Sequence, residues 1–508
     1  MSETAQQPTT GWWGRITSTV RSRFRLVQFA PVLAVIALGA WMFASPIGAA
    51  PDDDFHLTST WCANELRTDL CQQGPEEGER IVPPVVLYAA CFAYDATKSP
   101  ICQEALLEQP FAPTETTERG SFLANYPPVY YGFMNLFASD NLLLSALLMR
   151  FVNILLLVGI TTAMYLLLPH ARRSSLMWGW LVTMVPLGIF LVASNNPSSW
   201  AIIGVGTSWL ALVGYFETTG KRRIALGALF GLTVLMAAGA RADAALYTIL
   251  GSLIAVVLTV RRRRISLLLG ILPLVFAVIA AIFFLMSRQS TVAISGLGDS
   301  TASEVPLSGF GLLAFNLLNV PELWAGVFGG WPLGWLDTGL PAVVTYGGLG
   351  VFVAIVFIGI GVTSWRKEAA ALVLVLVLWL LPAYVLQAGG NAVGQNVQPR
   401  YLLPLIVILA GVAVFTVGQR RLRLSKVQTT LVAVTLSLTQ AFALHVNLRR
   451  YITGIDIQGA NLDDGYEWWW TGFPLTPMQL WVVGSLSFAA LVFVLLRDLR
   501  RSYGEIYS

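Results

Sequence analysis

The sequence has few charged residues. Asp, Glu, Lys and Arg make up 12% of its 508 residues and 56% are hydrophobic, whereas a typical soluble domain is about 25% charged. This shortage excludes an ordinary soluble enzyme and a disordered protein. With a formal net charge of only +4, it also argues against a nucleic-acid-binding protein. The Walker A, GxGxxG, HExxH and GxSxG patterns are absent, so no motif indicates the chemistry that they signal.

Cysteine is also scarce, and it is confined to one segment. The four cysteines are Cys62, Cys71, Cys91 and Cys102. An even number in one loop that is predicted to lie outside the cytoplasm indicates disulfides formed in an oxidising compartment. Three pairings are possible, and Cys62–Cys71 with Cys91–Cys102 is the most local. A metal site is disfavoured, because the segment has no CxxC spacing and only one nearby His.

Long apolar runs, by contrast, are abundant. A helix needs about 20 apolar residues to cross a bilayer. The twelve predicted spans are 26–48, 142–168, 176–194, 199–216, 224–240, 243–260, 265–286, 341–363, 369–388, 401–418, 428–446 and 477–496. The first run ends in IGAA at 47–50, which resembles a signal-peptidase site, but it is longer than the usual signal core of about 7–15 residues. We therefore expect it to remain as the first transmembrane helix.

The distribution of basic residues predicts the orientation. If the N-terminus is cytoplasmic and the spans alternate, 22 of the 32 Lys and Arg residues fall on the cytoplasmic side, as the positive-inside rule requires. The prediction is an all-α polytopic protein of the plasma (inner) membrane with both termini in the cytoplasm. It has a cytoplasmic tail at 1–25 and one transmembrane domain over 26–508.

A thirteenth apolar run, at 309–328, does not fit this alternation. If it crossed the membrane, the basic clusters that follow it would move outside. It also contains Asn316, Pro321 and Glu322, so we predict an amphipathic or re-entrant helix on the outer face. The run belongs to one of two large outer loops, 51–126 and 287–340. Such loops suit a protein that acts on something outside the membrane.

The first of these loops begins with the motif PDDDFH at 51–56. Three carboxylates and an imidazole stand where the chain leaves the bilayer. Crowded like charges raise the pKa of at least one carboxyl group, which suits a general base. A solvated acidic cap on the outer end of the helix is the alternative interpretation.

Two other motifs flank later helices. The motif NYPPVYY at 125–131 leads back into the membrane, and its tyrosines could stack on a sugar, line a lipid groove or form an interfacial aromatic belt. The motif QPRYLLP at 398–404 contains Arg400, the only basic residue of its loop. An arginine fork at the bilayer surface is suited to a lipid phosphate, and ordinary snorkelling to headgroups is the alternative.

Several polar residues fall at or near membrane depth. Arg150 and Arg241 are in or at the edge of predicted helices, where charges mark functional sites or pair with each other. Arg150 with Asp243 is one such candidate pair. Asn195 lies in a short outer turn and could donate hydrogen bonds to a ligand, although a plain turn is an alternative. The tryptophans at 468–470 stand beside acidic residues, which is typical of carbohydrate sites and equally of interface anchors.

The layout and motifs resemble the GT-C superfamily of polytopic glycosyltransferases. More closely, 51–56 is similar to the Pro-Asp-Glu-x-x-His motif of an uncharacterised bacterial family of predicted membrane proteins. The segments at 126–131 and 400–404 resemble that family's His-Pro-Pro-x-Tyr-Tyr and Gly-Arg-Tyr-x-x-Pro motifs. In this chain Asp53 replaces the family's Glu, Pro399 its Gly and Tyr126 its His.

The resemblance implies an inverting transfer of sugar from a polyprenyl-phosphate carrier on the extracytoplasmic face. Asp53 or Asp52 would deprotonate the acceptor hydroxyl as general base. Arg400, with His56 or Arg241, would bind the donor phosphate and stabilise its charge. The residues expected to contact substrate are Tyr126, Tyr130, Tyr131, Asn195, Gln398 and Tyr401.

The same resemblance implies the partners and a candidate cofactor. The donor would be a polyprenyl-phosphate-linked sugar, the acceptor a cell-envelope glycan or glycolipid, and the surroundings a lipid bilayer, with no nucleic acid. Because some GT-C enzymes use a divalent cation, Asp52, Asp53 and Asp54 are candidate ligands. A transporter or flippase for a lipid-linked glycan and a non-catalytic scaffold in envelope assembly are the alternative functions.

Overall fold

The computed structural model describes residues 26–259, 267–291, 307–418, 422–470 and 472–504. The predicted tail at 1–25, the basic loop at 261–264 and part of the outer loop at 287–340 lie outside the described residues. The protein is a helical bundle. Its α-helices are α1 Ala30–Phe43, α2 Asp53–Trp61, α3 Pro84–Tyr88, α4 Glu104–Leu107, α5 Val129–Met134, α6 Leu142–Leu167, α7 His170–Leu181, α8 Leu187–Val192, α9 Ser198–Glu217, α10 Gly220–Ala240, α11 Ala242–Thr259, α12 Leu267–Met286, α13 Gly309–Ala325, α14 Ala342–Ile360, α15 Trp365–Ala388, α16 Leu403–Ala413, α17 Lys426–Ile452 and α18 Pro477–Gly504.

Within the described residues, eleven helices are long and apolar enough to cross a membrane. Two of the twelve predicted spans are wrong as continuous helices. The run at 176–194 is divided between α7 and α8, because Pro186 has no amide hydrogen and interrupts the helix. The run at 401–418 forms only the 11-residue α16. Both runs are almost entirely buried by neighbouring helices, so their apolar composition reflects a protein interior as well as a bilayer.

The run at 309–328 is helical, as predicted, and continues from α13 into a π-helical turn at Gly326–Gly330. Its start lies beside the end of α15, where Gln387 donates to the Gly309 carbonyl at 3.2 Å. The segment after it returns to the end of α1, where Trp335 donates to the Gly48 carbonyl at 2.8 Å. By length and composition Gly309–Gly330 is one of the eleven candidate spans. Both of its flanks nevertheless meet the same end of the bundle, which agrees with a re-entrant course.

That end of the bundle also carries the loop at 51–126, and we call it the loop-bearing end. The loop has two disulfides, Cys62–Cys71 and Cys91–Cys102, which is the most local of the three pairings. It adds a small antiparallel sheet to the expected all-α architecture. The strands are β1 Gln72–Gln73, β2 Arg80–Val82 and β3 Glu115–Thr117, in the order β1-β2-β3.

The last two residues of α1 and the chain that joins it to α2, together called the exit segment (42–52), have complete backbone carbonyl hydrogen bonding. Every backbone carbonyl from 42 to 52 accepts a hydrogen bond, and most of the donors are side chains from distant helices and loops. The side-chain donors are Arg150 to Met42, Ser45 and Pro46, Trp470 to Phe43, Asn447 to Ala44, Gln103 to Ile47, Trp335 to Gly48, Tyr451 to Ala49, and both Asn196 and Arg400 to Pro51. The carbonyls of Ala50 and Asp52 accept from backbone amides. The exit segment is therefore a fixed platform for the residues that follow it.

Candidate functional site

The exit segment ends in a left-handed turn that separates two neighbouring carboxylates. Asp52 precedes α2 with φ +59°, a conformation that Asp tolerates better than most residues. Its carboxylate is 37% exposed and lies 2.5 Å from Arg400 and 3.5 Å from Arg119. The Asp53 carboxylate is fully buried on the other side of the turn, where its Oδ2 accepts from the Ala50 amide at 3.1 Å. Of the two predicted bases, only Asp52 lies beside Arg400.

The two surroundings shift the two carboxyl pKa values in opposite directions. Burial opposes ionisation of Asp52, but the Arg400 guanidinium and, more weakly, Arg119 favour the charged form, and its pKa falls to about 2. Burial raises the pKa of Asp53 to about 7, against the opposing effects of Arg150 and the Ala50 amide. Asp52 is thus a carboxylate at neutral pH, whereas Asp53 carries its proton for much of the time.

His56 lies one turn further along α2 and is also buried. Its Nδ1 forms a 2.8 Å hydrogen bond with the Tyr131 hydroxyl, and its ring packs edge-on against Tyr126 with the centroids 5.4 Å apart. Burial holds the pKa of His56 well below its usual value, with Arg400 and Arg241 adding to the effect. His56, a predicted phosphate contact, would therefore act as a neutral N–H donor through Nε2. That atom has no hydrogen-bond partner among the described residues.

Arg400, Arg241, Tyr401 and Tyr126 form what we call the arginine–tyrosine cluster. The Arg400 guanidinium donates to the Tyr401 hydroxyl at 3.2 Å and its carbon lies 5.2 Å from that ring's centroid. The Arg241 guanidinium lies 4.7 Å from the Tyr401 centroid and 5.8 Å from that of Tyr126. Both arginine side chains are at most 6% exposed. The cluster brings two of the predicted motifs, 125–131 and 398–404, together with Arg241.

The two arginines retain unused donors. Arg241 forms two hydrogen bonds with Asp243, at 2.9 and 3.0 Å, and this pair replaces the candidate pair of Arg150 with Asp243. Within the described residues, Arg241 Nη1 and Arg400 Nε have no acceptor. A buried N–H without an acceptor is costly, and an anionic ligand with several acceptor oxygens would satisfy both.

Two predicted substrate contacts belong to the scaffold instead. Asn195 accepts from Arg150 at 2.8 Å and donates to the Ala146 carbonyl at 3.1 Å, so both ends of its amide bond to the surrounding helices. Tyr130 is 1% exposed and donates to the Asn195 carbonyl at 2.7 Å. Neither side chain faces the arginine–tyrosine cluster with a free group. Gln398 is half-buried and precedes the turn Pro399–Tyr401, to which it contributes a backbone acceptor.

The structure gives no support to a metal site formed by the three carboxylates. Asp52 is bound by two arginines, Asp53 faces the Ala50 amide, and Asp54 pairs with Arg119 at 2.7 Å. Across the described part of the chain, no group of three or more His, Cys, Asp or Glu residues is placed to hold a metal ion.

Arg119 was missed by the sequence reasoning. It lies far along the loop from the acidic motif, yet it bridges Asp52 and Asp54 and is 45% exposed. Sidedness alone does not single it out, because Arg67, Arg80 and Lys98 lie in the same outer loop, whereas Arg400 is the only basic residue of its loop. Asp52 consequently lies between one buried and one accessible arginine.

Two further features lie away from this site. The tryptophans at 468–470 pack inward, and Trp470 donates to the Phe43 carbonyl at 2.7 Å, so they support the exit segment. A cavity of about 390 Å³ opens between α1, α6, α7 and α18. Its lining is almost entirely apolar and includes none of the predicted site residues, which is expected of a lipid-facing surface.

Comparison with known proteins gives one match. The model of a family described as "Predicted membrane protein (DUF2142)" matches residues 35–409. The chain belongs to the DUF2142 family. No curated protein and no solved structure matches it. The expected resemblance to an uncharacterised family of predicted membrane proteins is therefore confirmed.

The range matched to DUF2142 contains the site as the structure assembles it. It includes the exit segment, Arg119, the Arg241–Asp243 pair and the turn Pro399–Tyr401. The helices α17 and α18 lie beyond the matched range, although side chains of α17 hold the exit segment in place. The DUF2142 region of this membrane protein thus supplies all the residues of the cluster.

Proposed function

We propose that the protein is a GT-C-type glycosyltransferase of a bacterial plasma membrane. It would transfer a sugar from a polyprenyl-phosphate carrier to a cell-envelope glycan or glycolipid on the extracytoplasmic side, with inversion at the anomeric carbon. The observation that carries the proposal is the arginine–tyrosine cluster, in which two buried arginines with unused donors lie on the Tyr401 ring and one of them, Arg400, pairs with the Asp52 carboxylate.

The cluster suits a lipid-linked phosphate. Arg400 and Arg241 are buried cations at the loop-bearing end of a membrane bundle, and their free N–H groups lie near Tyr401. Planar guanidinium groups match the oxygens of a phosphate and stabilise the charge of a phosphate leaving group. His56 Nε2, in the tautomer that carries a proton there, would add a neutral donor. Headgroup and leaving-group binding would then involve the same side chains.

Asp52 is the general base that we favour. Its carboxyl group has a pKa of about 2, which makes the carboxylate a weak base while it is paired with Arg400. A donor phosphate that draws the Arg400 guanidinium away removes that pairing, so the pKa of Asp52 rises toward its ordinary value. The acceptor oxygen then attacks the anomeric carbon as its proton passes to Asp52, and the carbon–oxygen bond to the phosphate breaks.

Asp53 takes a different role in this scheme. It is buried against the Ala50 amide and lies on the side of Arg150, so an acceptor hydroxyl does not meet it. We assign it to holding the left-handed turn that presents Asp52. Because an asparagine at 53 could still accept from the Ala50 amide, the Asp53→Asn protein should retain most of its turnover.

The decisive experiment measures release of sugar from a panel of polyprenyl-phosphate sugars. The purified protein in lipid is supplied with a cell-envelope extract as acceptor. The wild type should turn over at least one donor, and Asp52→Asn should lower the rate by about 10²–10⁴-fold, the usual contribution of a general base. Asp69→Asn is the matched control, because Asp69 is a 67% exposed carboxylate of the same loop.

The outcomes separate the proposed function from its alternatives. Full activity of Asp52→Asn would refute the base assignment. If the folded wild type released no sugar from any donor, the enzyme proposal would fail. Movement of a lipid-linked glycan across sealed vesicles would then favour a flippase, and a stable copurifying partner would favour a scaffold.

A further inference from the structure

Tyr94 is an exposed aromatic residue that is held in a defined position. It lies between Cys91 and Cys102, which form a disulfide, and its backbone has φ +65°, an uncommon conformation for a bulky residue. Its side chain is 79% exposed. One side of the ring contacts Trp335, with the centroids 5.1 Å apart at 60°. The other side is open to solvent, so Tyr94 contributes little to the core.

A buried arginine joins the two loops that carry this aromatic pair. The Arg450 side chain is inaccessible and lies 2.7 Å from the Asp337 carboxylate, two residues after Trp335. The same guanidinium donates to the carbonyls of Phe92 and Asp95, on either side of Tyr94, at 3.1 and 3.2 Å. One charged group thus fixes both loops. The hydrogen bonds of Arg450 therefore fix the position of the Tyr94 ring relative to the Trp335 ring.

The pair lies beside the acidic motif. Trp335 donates to the Gly48 carbonyl in the exit segment at 2.8 Å, which connects its loop to the chain that ends at Asp52. The Tyr94 hydroxyl is within electrostatic range of Asp52, Asp54 and Arg119. The exposed Tyr94 ring therefore lies near three partly accessible charged groups, Asp52, Asp54 and Arg119.

We infer that Tyr94, supported by Trp335, is a subsite for a sugar ring of the acceptor. The inference rests on the proposed function and adds the acceptor side to it. A pyranose has an apolar C–H face that stacks on an aromatic ring, and its hydroxyl groups pair with carboxylates and guanidinium groups. Asp54 and Arg119 supply those polar partners. The acceptor approaches from solvent and the donor from the membrane, and Asp52 lies between them.

The test is direct binding of sugars to the protein in lipid, measured by saturation-transfer NMR. The probes are the methyl pyranosides of glucose, galactose, mannose and rhamnose. We expect at least one of them to receive saturation from the wild type. Tyr94→Ala should weaken that binding about tenfold, as truncation of a central aromatic contact does, and Tyr94→Phe should preserve it. Tyr88→Ala is the matched control, since Tyr88 is 48% exposed in the same loop.

Sugar release from the lipid-linked donors is measured on the same samples, so the two proposals can fail separately. Binding that is equal in the wild type and Tyr94→Ala would refute the subsite, even if donor turnover remains intact. Failure of every pyranoside to bind the wild type would refute it as well. Binding that depends on Tyr94 in a protein without donor turnover would refute the transferase, and with it the acceptor role, and would show Tyr94 to be a sugar-binding residue only.

Discussion

The exit segment and the arginine–tyrosine cluster adjoin each other at Asp52, and both are rich in buried polar groups. In the exit segment every carbonyl from 42 to 52 has a donor, and Arg150 alone supplies four hydrogen bonds to it and to Asn195. In the cluster, Arg400 Nε and Arg241 Nη1 have no acceptor in the described part of the protein. The nearby His56 Nε2 has no hydrogen-bond partner there either.

The difference separates scaffold from site. Leaving a buried polar group without a partner costs about 1–3 kcal/mol. The paired carbonyls of the exit segment avoid this cost, whereas the unpaired N–H groups of the neighbouring cluster reduce the stability of the fold. The surplus in the cluster consists of donors, and the ligand that complements donors is rich in acceptors. We therefore expect substitutions in the exit segment to change stability and substitutions in the cluster to change turnover.

The strongest test of the scaffold is Arg150→Leu. This change leaves the carbonyls of Met42, Ser45 and Pro46 without their donor, and we expect a loss of about 3–5 kcal/mol in the free energy of unfolding, as for breaking a buried charged network. Thermal unfolding in detergent measures it. The exposed Lys221→Leu, at the other end of the bundle, should stay within about 0.5 kcal/mol of wild type. Equal melting of Arg150→Leu and wild type would contradict the scaffold role.

Arg400→Gln tests the cluster in the opposite sense. Asp52 keeps Arg119 as a partner, so the variant should unfold at nearly the wild-type temperature. Turnover of the lipid-linked donor should fall about 10²–10³-fold, which is the usual cost of losing one preorganised donor to a developing charge. Lys98→Gln removes an exposed charge from the same loop-bearing end and should leave the rate unchanged. A variant that unfolds early with a normal rate per folded molecule would reverse the comparison.

Asp53→Asn gives the smallest effect, and it depends on pH. The folded chain holds the Asp53 proton up to about pH 7, while the unfolded chain releases it near the ordinary value of 3.8. The folded state therefore binds more protons in this window, and wild-type stability falls as pH rises through it, by about 1 kcal/mol per pH unit. The variant should lack this component between pH 5 and 6.5. Identical pH profiles of the unfolding temperature would show that Asp53 titrates normally.

Much of the fold was predictable because a bilayer imposes a length on apolar helices. That signal located α1, α6, α9 to α12, α14, α15, α17 and α18, and sidedness indicated that 309–328 was different. It failed for the pieces α7, α8 and α16, whose residues are apolar because neighbouring helices bury them. Hydropathy alone does not distinguish a lipid-facing residue from one inside a bundle.

The residues of the site that belong to short sequence motifs were predictable. Those whose positions depend on a turn or on the folding of a loop were not. The motifs at 51–56 and 398–404 led to Asp52 and Arg400, which the structure brings to 2.5 Å. Adjacent aspartates look equivalent in a sequence, and only the left-handed turn sends Asp53 inward. The positions of Arg119 and Tyr94 near Asp52 depend on how the disulfide-bonded loop folds back, and no local sequence pattern encodes that.

The complete bonding of the exit segment has a consequence for synthesis of the chain. Its donors come from residues as far apart as Gln103, Arg150, Trp335, Asn447 and Trp470. A nascent chain that has already threaded α1 through the translocon must wait until several hundred further residues have followed before this short stretch is fully bonded. The acidic motif is made early, but the bonds that hold the exit segment before it are completed late, so a prematurely terminated chain would reach the membrane with that segment only partly bonded.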